Sequence, residues 1–375
     1  MLSRLNDEDS SDIFSDSVDT PSDYNPFCNS AEVISFNENY SSVVPTFFFR
    51  TQASSVNPSK YEALKIKHFY NTAGTFLLTK LMIEFILFFV FNIVLMYLSS
   101  SDISQRQSYQ SLISNNSVIH GFKILSTVIT TLLIFRMGCR LSGLKPSSLF
   151  QNNHKARTSE IISFFMTGIF ISSIYNLIII VCNEFFPSVP VTQIKFTNNI
   201  PQILLIIIST CFVVPVANGI IFRGIVLKNM SRVSQKFGII ISSVLCALSS
   251  GQAIAFIPCF LMSVMLCKMS IKYNTIFTSV VINITINICN VIIYAYGDLF
   301  YSSDPMIIRM WSAITFMTGG LFAVYLLLKE PLPYMNKAQK QRAFPILMQS
   351  ASTILVFIFY IFLNATAFFI NKGWY

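Results

Sequence analysis

Runs of mostly apolar residues alternate with short polar stretches along this chain, near 76–98, 117–138, 160–183, 202–226, 237–251, 253–270, 276–297, 308–328 and 349–371. A helix needs about 20 such residues to cross the hydrocarbon layer of a bilayer. It is also the one open-ended element that satisfies its own backbone N–H and C=O groups there. The pattern predicts an all-α fold: a polytopic transmembrane helix bundle of about nine helices, over residues 76–371. Its most interrupted stretch is 237–270, where Gly251, Gln252 and Pro258 fall. This reads as two short helices or as one broken helix buried in protein. Residues 46–75 mix Phe47, Phe48 and Phe49 with Lys60, Lys65 and Lys67, which suits an interfacial lead-in to the first span. Residues 1–45 are acidic, Ser-rich and poor in apolar side chains, and read as a disordered tail. The tail has neither the basic start nor the apolar centre of a signal peptide. It serves as a soluble spacer or, with Ser10, Ser11, Ser15 and Ser17 among acids, as a regulatory segment.

Composition supports the membrane reading. Of 375 residues, 53% are hydrophobic and 11% charged, with 36 Phe and a mean hydropathy of +0.60. Soluble domains carry about 25% charge, so this chain has too little to cover a water-facing surface of its size. That excludes an ordinary cytosolic enzyme, a disordered protein and a nucleic-acid binder. The partner it requires is the lipid bilayer.

The formal charge of +9 is unevenly distributed. Residues 1–40 hold nine of the 17 acids and one base, Arg4, which leaves the body strongly basic. With a cytoplasmic amino end and nine spans, all Lys and Arg except Arg106, Lys123, Lys195, Arg309 and Lys372 fall on the cytoplasmic side. This is the bias of the positive-inside rule, and an eight-helix count would break it. The expected location is a multi-pass position in the plasma membrane, amino end in. The eight cysteines have no paired loop spacing and no CxxC, so they read as reduced thiols packed like small apolar residues.

Ionisable residues inside spans are costly and therefore of interest. Glu84 lies four residues after Lys80, the spacing of a structural pair. Glu160 and Glu184 stand at segment ends, within reach of headgroup water. Arg223 closes the fourth segment in the run PVANGIIFRGIVLKN, where the plain reading is a guanidinium snorkelling to the interface.

That run, Pro215 to Gly224, resembles the first signature of the CAAX-protease and bacteriocin-processing (CPBP) intramembrane protease family: a proline, two residues, two glutamates, two apolar residues and Phe-Arg-Gly. SSVLCALSSG, Ser242 to Gly251, is similar to the second signature, a Ser-Ser stretch leading to Phe-x-x-x-His. TIFTSVVINITIN, Thr275 to Asn287, resembles the third, in which a His precedes an Asn by four residues. Order and spacing hold over about residues 200–297. The resemblance implies a fold in which glutamates and histidines activate water for peptide-bond hydrolysis, with a metal.

This chain departs from the family at those residues. The two glutamates fall on Asn218 and Gly219, the second-signature histidine on Ser250 with Cys246 in place of the Phe, and the third-signature histidine on Asn283; Arg223 and Asn287 are retained. Activating water requires a proton acceptor or a cation that lowers the pKa of water. Amides and a hydroxyl provide neither. The three histidines, His68, His120 and His154, lie outside the signatures, and no HExxH is present. Expected are no metal, no cofactor and no intact catalytic set, with Asn218, Ser250, Asn283, Asn287 and Arg223 as interhelical hydrogen-bonding glue or the lining of a binding cavity. The first functional reading is a catalytically inactive homologue that scaffolds or binds a membrane protein, peptide or lipidated-protein segment. Two alternatives stand beside it: an active endopeptidase that uses Cys246, Ser249 or Ser250 near Glu84 or Glu160, and a transporter or permease component.

Overall fold

The computed structural model describes residues 58–99, 116–142, 146–150, 157–185, 199–232, 234–300, 305–333 and 337–371. The acidic tail and the lead-in before residue 58 lie outside them. The chain divides at Tyr61 into two units. Of the first only the start of a helix is described; the second, from Glu62 onward, holds the bundle.

Each predicted apolar run is helical, and the described residues contain no strand. The helices are α1 (Pro58–Ser99), α2 (Asn116–Ser142), the short α3 (Pro146–Phe150), α4 (Thr158–Phe185), α5 (Ile200–Met230), α6 (Gln235–Leu248), α7 (Phe256–Lys272), α8 (Phe277–Phe300), α9 (Pro305–Lys329), α10 (Lys337–Met348) and α11 (Ala351–Asn371). Six of them, α1, α2, α4, α5, α8 and α9, are long and apolar enough to cross a membrane. The protein is thus an integral, multi-pass membrane protein with lipid as its surrounding solvent. Exposed apolar side chains such as Phe85, Met317, Leu321 and Leu328 form the surface that lipid covers.

One boundary differs from the hydropathy pattern. Helix α1 starts at Pro58 rather than near 76, so the mixed stretch from Pro58 to 75 is helical and continuous with the first span. Tyr70 and Ala73 in it are fully buried, because α11 crosses there. An added Cβ at Gly74 would lie 2.4 Å from the backbone nitrogen of Thr353, and the Thr353 hydroxyl donates to the Tyr70 carbonyl at 2.7 Å. The stretch 237–270 resolves into two helices, α6 of 14 residues and α7 of 17. Between them Gly251 takes a positive φ of 69°, a conformation that costs other residues about 1–2 kcal/mol. At about 1.5 Å per residue, α6 rises about 21 Å, less than the ~30 Å hydrocarbon layer.

The bundle has two chemically distinct ends. At one, Tyr70 stacks on Phe237 with ring centroids 5.8 Å apart, and the Ile276 amide donates to the Leu149 carbonyl at 3.1 Å. There the feet of α4, α7 and α9 are tied by ions: Lys272 reaches Glu160 at 2.7 Å and also Glu330, and Lys268 lies 3.9 Å from Glu330. The Tyr273 hydroxyl donates to Glu160 at 2.7 Å; burial, then that bond, pushes its phenol up. At the other end Arg309 pairs with Glu184 at 2.5 Å. Within the span of α1, Lys80 and Glu84 form the expected i, i+4 pair at 2.8 Å. Seven cysteines fall among the described residues, and all are free thiols.

Candidate functional site

The three resembling segments come to lie in α5, in the second half of α6 with the turn after it, and in α8. Pro215 shapes the first. It has no N–H to donate, and its ring crowds the carbonyl one turn earlier. The helix widens into π-turns on either side of the regular turn Val214–Asn218, over Ile208–Val213 and again over Gly219–Val226. Such turns recur at functional sites because they re-aim side chains that a regular helix would space evenly.

The second π-segment turns Arg223 inward. Its residue is 3% exposed, so the guanidinium does not snorkel to an interface; it is packed between helices. Its Nη1 donates to the Ser279 carbonyl of α8 at 3.4 Å, and its Nε has no hydrogen-bond partner in the structure. No ion pair joins Arg223 to a described residue. A Cβ built on Gly219 would lie 3.8 Å from Arg223 Nη1 and 2.2 Å from Cγ2 of Val280. Position 219 therefore sits at the guanidinium, and the space its side chain would use is filled by Val280.

Gly219 and Val280 mark a seam between α5 and α8; Asn218 precedes Gly219 on α5, and Asn283 and Asn287 follow Val280 on α8 by about one and two turns. All three asparagines are half-buried. Ser250 is exposed, and its hydroxyl donates to the Ala247 carbonyl at 2.7 Å within its own turn. No hydrogen bond ties it to the seam among the described residues. The structure brings Asn218, Gly219, Arg223 and Asn283 to one helix pair and leaves Ser250 at the α6–α7 turn.

Around Arg223 lies a polar lining that motif comparison missed. Ser242 donates to the Phe222 carbonyl at 2.8 Å, and Ser270 to the Ser279 hydroxyl at 2.8 Å. Cys267 Sγ stands 3.8 Å from Ser263 Oγ and 4.0 Å from Ser242 Oγ. The spacing of Ser263, Cys267 and Ser270 by four and three residues was the available signal, because it places them on one face of α7. Away from this region, Ser209 Oγ lies 3.3 Å from Nδ1 of His120, a contact between α5 and α2 that no motif announced.

Chemically, this set cannot hold the metal that the family resemblance implies. The positions in question offer two amides, a hydroxyl and no side chain at all. Among the described residues no three His, Cys, Asp or Glu come together to hold an ion. The carboxylates named as bases for an unorthodox nucleophile are committed elsewhere, Glu84 to Lys80 and Glu160 to Lys272 and Tyr273. Ser249 and Ser250 donate to local carbonyls. What the seam offers is a buried cation, hydroxyls and amides: groups that hold a polar backbone or an anion.

Comparison with known proteins agrees with the motif reading. Residues 200–289 match the family model described as type II CAAX prenyl endopeptidase Rce1-like. No curated protein and no solved structure matches the chain. From α5 to the middle of α8, where the seam lies, this membrane protein is similar to the Rce1-like family model.

Proposed function

We propose that the chain is a CPBP-type membrane protein whose Rce1-like segment no longer hydrolyses peptide bonds and instead binds a peptide or lipidated-protein segment, as a scaffold within the bilayer. The observation that carries this reading is the α5–α8 seam itself. It retains Arg223 and Asn287 but presents Asn218, Gly219 and Asn283 where the family has two carboxylates and an imidazole, and Val280 fills the space beside Gly219. Half-buried amides suit the backbone of a bound segment, since each offers both a donor and an acceptor. The concentration of bases at one end of the bundle supports an orientation with that end and the amino terminus in the cytoplasm.

The test uses the purified full chain and a farnesylated peptide ending in a CAAX-type sequence. Binding without cleavage is expected, and Asn218→Leu with Asn283→Leu should weaken it by about tenfold, since each removes a hydrogen-bonding group from a buried contact. Cleavage of the peptide by the wild-type chain, abolished by a chelator, would overturn the reading.

A further inference from the structure

Four helices turn polar side chains to one buried node: Arg223 from α5, Ser243 and Cys246 from α6, Cys267 from α7 and Ser279 from α8. Cys246 and Cys267 both lie within electrostatic reach of the guanidinium, and the Ser279 carbonyl accepts from Arg223 Nη1 at 3.4 Å. The spacing of three residues sets Ser243 and Cys246 on one side of α6. A polar group in an apolar interior costs free energy unless it is hydrogen-bonded. Neighbouring hydroxyls meet that condition: Ser242 donates to the Phe222 carbonyl and Ser270 to the Ser279 hydroxyl, each at 2.8 Å. Two donors at the node do not. Arg223 is 3% exposed, and its Nε has no hydrogen-bond partner. Ser243 is 0% exposed, and its Oγ turns toward the Cys267 thiol without completing a hydrogen bond. Both groups have hydrogens to give, and so have the two thiols beside them.

We propose that this node is a binding site for a small monovalent anion, a halide such as chloride, held by Arg223 Nε with the Ser243 hydroxyl and the Cys246 and Cys267 thiols around it. The sign follows from the donors: a guanidinium is always charged and has no lone pair to offer, and its bonds to an anion are about twice as strong as neutral ones. The single charge follows from the single guanidinium, which one negative charge balances in an interior where a net charge is costly. The size follows from burial. A carboxylate or phosphate ester would have to bring its attached chain between packed helices, whereas a bare ion brings none. Cys246 is half-buried and forms the edge of the node by which an ion enters. The site goes beyond the peptide-binding reading and stands whether or not the α5–α8 seam holds a peptide.

Thermal melts of the full chain in a neutral detergent, with sodium chloride replacing sodium gluconate at fixed ionic strength, test it. Gluconate is too large for the node, so chloride is expected to raise the wild-type melting temperature by about 2 °C or more. Arg223→Met is expected to abolish that rise, and Arg309→Gln, whose guanidinium pairs with Glu184 at the far end, to keep it. No rise in the wild type, or an equal rise in Arg223→Met, overturns the proposal. So does a rise with N-acetylglycine that chloride fails to give, which would assign the node to a chain-terminal carboxylate. Should Arg223→Met fail to fold, the wild type alone decides. Binding at one site makes the melting temperature climb with the logarithm of chloride concentration, and that dependence supports the site. A climb linear in concentration is a general salt effect and overturns it.

Discussion

At the scale of single residues, position 219 carries the most consequence. Glycine there allows α5 and α8 to meet, with Val280 in the space a side chain would claim. Gly219→Glu is expected to destabilise the protein by about 1–3 kcal/mol, the usual cost of overpacking. Val280→Ala in the same chain should return part of that loss, because the new carboxylate can then approach Arg223. Thermal melts of the two single variants and the double variant in detergent read the coupling; simple additivity would show that Val280 and position 219 do not share that space. Arg223 makes a second residue-scale prediction. Its one hydrogen bond from Nη1 goes to a backbone carbonyl at 3.4 Å and its Nε is unpartnered, so removing the charge strands no acid. Replacing buried ions by apolar groups of similar volume is often neutral or stabilising. Arg223→Met is therefore expected to hold or raise the melting temperature of the ligand-free protein while weakening peptide binding. A large drop in melting temperature would mean that the guanidinium is a structural requirement instead.

At the scale of elements, close helix crossings depend on glycines whose neighbours are backbone. A Cβ on Gly74 would stand 2.4 Å from Thr353 N, and one on Gly319 would stand 2.6 Å from the Met166 carbonyl. Backbone cannot swing aside as a side-chain tip can. Gly74→Val and Gly319→Val are each expected to cost about 2 kcal/mol or more, by parting α1 from α11 and α9 from α4. Gly121, whose Cβ would meet nothing within 4 Å, supplies the control: Gly121→Ala should leave the melt unchanged or slightly raised. Hydropathy located these helices but not their partners. Lipid tails and packed leucines are equally apolar, so the sequence pattern is similar on a lipid-facing and a helix-facing side. For the same reason the early start of α1 was hidden: Tyr70 and Ala73 are fully buried in a stretch whose neighbouring lysines lower the average hydropathy.

At the scale of the whole molecule, the ionic knot of Lys272 with Glu160 and Glu330 closes one end of the bundle across α4, α7 and α9. Lys272→Met leaves two partly buried carboxylates without their shared cation. The expected result is a loss of about 2 kcal/mol or more, visible as a lower melting temperature. Glu330→Gln, which keeps one pair, should lose less, and equal losses would argue against a shared knot. The overall charge asymmetry has a topological consequence as well. A cysteine placed at Asn274, beside that knot, should react with an impermeant maleimide only from the cytoplasmic side, and one placed at Lys123 only from the other. Labelling from the reverse sides would invert the orientation.

The sequence by itself determined that this is a helical membrane protein, where its apolar helices fall, and that residues 200–289 resemble an Rce1-like segment. It could do so because a bilayer leaves the backbone few options and because a change of side-chain chemistry is visible wherever the residue sits. The i, i+4 pairing of Lys80 with Glu84 was legible for a related reason, since helical geometry alone fixes it. Only the tertiary structure decided that Arg223 is buried rather than snorkelling, that Val280 fills the place beside Gly219, and that Ser250 hydrogen-bonds within its own turn. It also decided that Lys272 is shared by Glu160 and Glu330. Those outcomes depend on which faces of α1, α2, α5, α7 and α8 meet, and the order of residues along one helix does not name the face that a neighbouring helix will cover.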